Sequence, residues 1–486
     1  MVTDFLSETE EKKLLEDLSA RLGILQRKAI EKQLPILIVF EGWDAAGKGE
    51  LINRLTLSLD ARGFQVYSAN TPNREERLRH FLWRFWQKTP EKGRITILNR
   101  SWYTRALFDR VEKNVKKSVW QNAYPEIRSF EKQLTDSGTL IVKFFLHISK
   151  KEQKKRFKKL EKNPSTRWKI NPSDWKNHKK YNLYLDAVRD MFLETETDET
   201  SWYFVNAYHE KKAAIKVFST LCDKIESKLN ETLQTNKIFQ SEEKFPSILS
   251  DIDLTLSLSE NDYKILLKKY QKRVWELEHL IFLYRIPVII VFEGSDAAGK
   301  GGSIRRLVEK MDPRGYEVIP IAAPNDIEKK HPYLWRFWNH FPKQGHICVF
   351  DRSWYGRVLV ERVENFTPVS EWKKAYQEIN ETEKAWSDFG AVILKYWLQT
   401  DSDTQLQRFE ERQKNPLKQW KITPEDWRNR EKWNDYEKAA DEMIDKTNQD
   451  HAPWIVVPSN CKRFARIKIL KTFIEKVEQK IKEVKK

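Results

Sequence analysis

A glycine loop stands twice in this chain of 486 residues, and each copy has the residue types that hold a phosphate. Gly42-Trp43-Asp44-Ala45-Ala46-Gly47-Lys48-Gly49 recurs as Gly294-Ser295-Asp296-Ala297-Ala298-Gly299-Lys300-Gly301. Glycines five residues apart followed by lysine, at the start of a helix, offer a phosphate group backbone N–H donors, the positive end of the helix dipole and an ammonium. In the second copy the candidates are Gly294, Gly299, Lys300, Gly301 and the following Gly302. The hydroxyl that often follows the lysine and meets Mg2+ is missing, since that position is Gly301. Asp296 inside the loop is therefore the better partner for a metal or an acceptor phosphate, with Ser303 a substitute hydroxyl.

A second motif separates the copies. Asn99-Arg100-Ser101-Trp102-Tyr103 recurs as Asp351-Arg352-Ser353-Trp354-Tyr355. Asp351 closes the apolar run Ile347 to Phe350, so a carboxylate is expected at the carboxyl edge of a sheet, where a Mg2+ ligand belongs. Asn99 fills the same space without charge. Arg352 and Arg357 could offset charge on a transferring phosphoryl group, although a surface ion-pair cluster is the alternative for both.

Farther along, Arg408 and Arg412 lie four apart in a helical pattern and share a face. Thr423-Pro424-Glu425-Asp426 starts a further helix that carries Arg428, Arg430 and Lys432. Two basic helices joined by Lys414-Asn415-Pro416 are expected to form a movable lid over an anionic substrate, against the alternative of a solvated basic face. The first copy has Leu160 and His178 in place of Arg412 and Arg430, and Glu50 in place of Gly302. It keeps Lys48 and Asp44, so it is expected to bind anions weakly and to turn over poorly.

These side chains need a scaffold, and the sequence describes one. Adding 252 to a residue number carries the first copy onto the second without a gap, from Leu34-Pro35 with Ile286-Pro287 to Trp202 with Trp454. Each copy opens with a helical pattern, from Ser7 and from Ser259, both with an acidic residue three positions on that marks a helix start. An apolar run, Ile36 to Phe40 or Val288 to Phe292, then feeds the glycine loop and another helix. Further runs at Ile95 to Leu98, Leu140 to Leu146, Ile347 to Phe350 and Ala391 to Leu398 alternate with helical stretches. The fold class is α/β, two tandem domains each made of a parallel sheet flanked by helices. The expected division is an N-terminal domain over 1–230, a linker over 231–257 and a C-terminal domain over 258–486. The aromatic string Leu334-Trp335-Arg336-Phe337-Trp338, present in both copies, reads as packing in preference to base stacking.

Lys plus Arg outnumber Asp plus Glu by 88 to 71, a net charge of +17 that calls for polyanionic partners. The three cysteines are scattered, the longest apolar runs are strand-sized, and Met1 to Lys13 has no apolar signal core. A soluble cytoplasmic protein with reduced thiols is expected. There is no Ser/His/Asp triad, no Cys or His metal cluster and no RNA-binding signature.

The strings Phe292 to Gly302, His331 to Trp338, Asp351 to Arg357 and Arg408-Phe409 to Trp433 resemble polyphosphate kinase family 2, over nearly all of the second copy and most of the first. The resemblance implies a P-loop kinase-like fold that moves phosphate between inorganic polyphosphate and nucleotides with Mg2+. Fused two-domain members resemble the AMP-phosphorylating class, in which the C-terminal domain is catalytic and AMP becomes ADP. Asp296, Lys300, Asp351, Arg352 and Arg412 are the positions that match, with Asp296 and Asp351 as metal candidates. An ATP-dependent nucleoside monophosphate kinase and a non-enzymatic nucleic-acid-binding protein are the rival readings. No membrane partner is expected, and the sequence leaves open whether the chain forms a homo-oligomer.

Overall fold

The computed structural model describes residues 7–231 and 245–485. Contacts divide them into two units, one of residues 7–77, 81–231 and 325–335, the other of 78–80, 245–324 and 336–485.

Each unit is built on a five-stranded parallel sheet. In the first, β1 (Ile36–Gly42), β2 (Phe64–Ser68), β3 (Ile95–Asn99), β4 (Leu140–His147) and β5 (Trp202–Asn206) lie in the order β2-β3-β1-β4-β5. In the second, β6 (Val288–Gly294), β7 (Tyr316–Pro320), β8 (Ile347–Asp351), β9 (Val392–Gln399) and β10 (Trp454–Pro458) repeat that order as β7-β8-β6-β9-β10. The central strands β1 and β6 are buried along nearly their whole length, which is why they read as unbroken apolar runs. The chain leaves each central strand first to one side and later returns to the other. The crevice beyond its carboxyl end is therefore the topological switch point.

Helices cover the sheets. Ser7 and Glu10 form a reciprocal capping box that starts helix Glu8–Glu31, and the Ser259 hydroxyl accepts from the Asp262 N–H at the start of Glu260–Leu283. Helix Glu8–Glu31 packs on Glu210–Asn230, and Glu260–Leu283 packs on Lys462–Lys485. In the second unit Val274, Leu277 and Ile281 meet Leu470, Phe473 and Val477 over the apolar face of β6.

Both units also bury a polar cluster against the sheet. Lys395, inside β9, donates from Nζ to Glu383 Oε2 at 2.8 Å, to Tyr355 Oη at 2.9 Å and to the Thr447 carbonyl at 2.8 Å. Glu383 Oε1 accepts from Trp354 Nε1 at 3.0 Å and Tyr355 Oη at 2.7 Å. Lys143, Glu131, Tyr103 and Trp102 repeat the arrangement in the first unit. The motif following Asp351 is thus pinned at Trp354 and Tyr355. The aromatic string packs as expected: Phe337 meets Trp354 and Trp338 meets Trp386, both edge-on.

Of the expected linker, residues 232–244 lie outside the described residues. Helix Glu210–Asn230 runs up to its start, and beyond the gap Leu249 is buried, its N–H donating to Asp441 Oδ1 at 2.9 Å.

Candidate active site

The glycine loop of the second unit turns off the end of β6. Gly294 sits at φ +136°, and a Cβ there would lie 2.5 Å from the Leu398 carbonyl oxygen, so only glycine lets β6 leave the sheet beside β9. Gly299, at φ +112°, opens helix Lys300–Val308 and aims its first N–H groups into the switch-point crevice. Lys300 folds back over the loop, donating to the Gly294 carbonyl at 2.6 Å and the Ser295 carbonyl at 3.1 Å. Burial pushes the Lys300 pKa down and Asp296 only partly restores it.

Asp296 is the hub. Its Oδ1 accepts from Arg352 Nη2 at 2.9 Å and its Oδ2 from Asn429 Nδ2 at 2.9 Å. Burial alone would raise this carboxyl, but the Lys300 and Arg352 charges and the two hydrogen bonds outweigh it and hold the pKa below the usual value. Arg352 reaches Asp296 from a left-handed backbone at φ +65°, an uncommon conformation for a residue with a side chain. The next residue fixes that turn, since the Ser353 hydroxyl donates to buried Glu293 at 2.7 Å.

Asp351 ends β8 opposite Phe292 of β6. A Cβ on Gly301 would stand 4.0 Å from its Oδ2, so the carboxylate lies beside the start of the loop helix. Among the described residues no hydrogen bond or ion pair occupies it. A hard divalent cation takes one or two carboxylates and completes its shell with phosphates and water, and Asp351 suits it. Both Asp296 oxygens already carry a donor. No group of three or more His, Cys, Asp or Glu among the described residues forms a self-sufficient metal site, so substrate oxygens would have to complete the shell.

The lid arginines divide into different tasks. Arg408 is buried in helix Ser402–Lys414 and donates to the carbonyls of Ala297, Ala298, Ser459 and Asn460. It holds the loop by its backbone, so although it shares a helix with Arg412 its donors are spent inward. Arg430 ties helix Pro424–Glu431 to the first lid helix through the Ser402 carbonyl at 2.6 Å and Gln405 Oε1 at 3.1 Å. Arg357 bonds Thr367 and pairs with Glu361 at 3.0 Å and Glu371 at 3.5 Å, the ion-pair arrangement that was its alternative. Among the described residues Arg412 makes only a long contact, 3.5 Å to the Lys421 carbonyl. A guanidinium so lightly held would be free to turn to an anion if these helices close. Arg412→Leu is expected to lower kcat about tenfold while changing the KM for the phosphoryl donor little, as for a contact made chiefly in the transition state. Steady-state kinetics decide it: a raised KM with normal kcat would assign Arg412 to ground-state binding.

Beside Asp296 and Arg352 opens a pocket lined by apolar Leu249, Leu359, Trp397 and Trp433, with Ser295 and Gln399 at its polar side. In the first unit other aromatic residues stand at the wall positions, and the space between them is filled. Trp43, at the position of Ser295, stacks on Tyr181, the twin of Trp433, at 4.0 Å between ring centroids, and meets Phe145, the twin of Trp397, edge-on. Its indole N–H donates to His147, the twin of Gln399, at 3.1 Å.

The loop itself survives in the first unit. Lys48 donates to the Gly42 and Trp43 carbonyls at 2.7 and 3.0 Å, and burial pushes its pKa down to about 8. Arg100 pairs with Asp44 at 2.5 Å. Glu50 is matched by Lys169 at 2.8 Å, which offsets the charge expected to repel phosphate there. His178 reaches Gln153 at 2.7 Å, as Arg430 reaches Gln405, so it preserves a lid tie.

Sequence reasoning missed Glu293, Ser353, Glu383, Lys395 and Asn429. Each recurs 252 residues earlier, as Glu41, Ser101, Glu131, Lys143 and Asn177, and a lysine inside an apolar strand is a visible anomaly.

The family model described as Polyphosphate kinase 2 (PPK2) matches residues 5–233 and again residues 257–485. A protein of Pseudomonas aeruginosa named polyphosphate:AMP phosphotransferase is 39% identical, over 98% of this chain and 97% of its own. One of the same name from Acinetobacter johnsonii is 34% identical, over 96% of each. A crystal structure described as a polyphosphate kinase 2 from Pseudomonas aeruginosa superposes with a TM-score of 0.88 at 37% identity, covering 98% of this chain and 97% of that one.

Proposed function

The chain belongs to the polyphosphate kinase 2 family, and from that premise we propose that it transfers the terminal phosphate of inorganic polyphosphate to AMP, giving ADP. The observation that carries this reading is the apolar pocket with two indoles next to the Asp296–Arg352 pair, a place for a nucleoside whose phosphate would reach the loop. The first unit closes that pocket with Trp43 and lacks the Asp351 carboxylate. Hence the first domain, over 1–230, is the degenerate one and the domain over 258–486 the catalytic one, with 231–257 between them.

In the transfer, an oxygen of the AMP phosphate attacks the terminal phosphorus of polyphosphate in line. The new P–O bond makes ADP, and the bridging P–O bond breaks to leave a chain one phosphate shorter that carries the electron pair as its new terminal oxygen. Lys300 and the loop N–H groups hold donor phosphate. Asp296, fixed by Arg352 and Asn429, orients the acceptor. Arg352 and, on closure, Arg412 offset the charge that develops in flight. Asp351 would hold Mg2+, which would supply positive charge to offset that of the phosphates. Gly299 and Gly301 leave the loop open to phosphate, while Gly294 and Gly302 allow close approach to the Leu398 carbonyl and to Arg466. Among the described residues no helix is long and apolar enough to cross a membrane, and we place the enzyme in the cytoplasm.

The test supplies Mg2+, AMP and either polyphosphate or ATP, and follows ADP. Formation of ADP from polyphosphate is expected; activity with ATP alone would mean a nucleoside monophosphate kinase. The KM for polyphosphate is further expected to climb steeply with salt, since several cations displace counterions from a polyanion, while the KM for AMP moves much less. Equal salt responses for both substrates would exclude a basic track.

A further inference from the structure

The positive charge is not where the chemistry is. Residues 1–230 contain 44 Lys plus Arg against 31 Asp plus Glu, a net +13; residues 231–486 contain 44 against 40, a net +4. The contrast concentrates on one helix. In Lys150–Lys162 of the first unit, Lys150, Lys151, Lys154, Lys155, Lys158, Lys159 and Lys162 are all exposed. At 100° per residue they occupy one half of the helix surface, and Lys151, Lys155, Lys158 and Lys162 form a stripe at spacings of three and four that runs about 16 Å. The same seven positions of helix Ser402–Lys414 read Ser402, Asp403, Leu406, Gln407, Glu410, Glu411 and Lys414. One fold position thus carries +7 in the degenerate unit and −2 in the catalytic one.

We propose that the outer face of helix Lys150–Lys162 is a docking surface for long-chain inorganic polyphosphate, separate from the catalytic crevice. This rests on polyphosphate being the donor. Like charges three and four apart weaken a helix, so a row of them is a cost unless a polyanion neutralises it. Local neutralisation is slight: Glu152 stands 3.7 Å from Lys155 and 3.0 Å from Arg156, while Glu161 accepts from Trp175 Nε1. The inward residues of the helix are engaged elsewhere, Phe157 in the lid core and Arg156 on the carbonyls of Ala45 and Ala207. A basic face that binds single-stranded nucleic acid interleaves aromatic platforms, and the exposed positions of this helix hold lysines and Glu161 and no aromatic ring. Point charges on flexible stems suit a chain of phosphates without bases. The surface would retain a long polymer while its free end is consumed at the other unit.

The test gives the first unit the charge pattern of the second. In the full chain, K151D/K155Q/K158E copies Asp403, Gln407 and Glu410. Direct binding of labelled long-chain polyphosphate, measured without AMP, is expected to weaken about tenfold or more, and the salt slope of log affinity to fall by about two to three units. The KM for long-chain polyphosphate should rise in step, whereas ADP formation from AMP and tripolyphosphate should stay within about twofold, since a short donor cannot reach across the lysine stripe. Unchanged affinity and slope for the long chain, or a loss confined to single-stranded DNA binding, would overturn the docking surface. If wild type bound long-chain polyphosphate through these lysines but formed no ADP from any polyphosphate, the donor assignment would fail instead.

Discussion

Asp351→Asn is expected to lower kcat by at least ~100-fold, the scale of loss on removing one preorganised electrostatic group from a phosphoryl-transfer site. The substitution keeps the shape of the side chain and copies Asn99 of the first unit, so the loop, the Asp296–Arg352 pair and the pocket should stand unaltered. Affinity for polyphosphate should change little, because Lys300 and the loop N–H groups remain. Initial rates of ADP formation at saturating AMP and polyphosphate measure it, and comparable rates in the two proteins would remove Asp351 from the mechanism. The reverse change, Asn99→Asp, should restore little, since Trp43 and Leu160 remain in the first unit.

The second large effect is on stability. Glu383→Ala strips a fully buried ammonium, Lys395, of its counter-charge and leaves the Trp354 N–H and the Tyr355 hydroxyl without their acceptor. Breaking a buried pair from one side costs about 3–5 kcal/mol, because the remaining charge stays desolvated. The second unit should unfold at clearly lower urea, and activity should fall through loss of the Trp354–Tyr355 anchor behind Asp351 and Arg352. Double replacement with apolar residues of similar size, Glu383→Leu with Lys395→Met, should recover only the part lost to the unpaired ammonium, since the Trp354 N–H and the Tyr355 hydroxyl stay without an acceptor. An unfolding midpoint unmoved by Glu383→Ala would show that the cluster contributes little.

Much of the fold could be read from residues. The central strands were visible because burial on both faces leaves an unbroken apolar run, as in Val288 to Phe292. All four edge strands escaped, β5 and β10 as well as β2 and β7, in which Gln65, Val66, Glu317 and Val318 are exposed and leave neither a run nor a clean alternation. For the site, Asp296, Lys300, Asp351 and Arg352 were picked out by type and position, and the fold brings all four to one crevice. Spacing misled for Arg408 and Arg412. Four residues apart puts two side chains on one face, but the depth of that face decides their work, and Arg408 lies deep enough to spend its donors on carbonyls. Asn429 was invisible because its partner, Asp296, is 133 residues away, and a neutral amide gives no hint of the carboxylate it orients.

The stacked pair Trp43–Tyr181 bears on whether the first unit could ever return to work. An indole in a cleft is also a piece of hydrophobic core. Once it is packed there, shrinking it opens a hole before any ligand is available to fill it. Each single step back toward the second unit's sequence then meets a penalty in folding with no immediate return in activity. If the first unit is idle, as proposed, its own stability would hold it so, a one-way latch that leaves its outer surface the part most free to take up other duties.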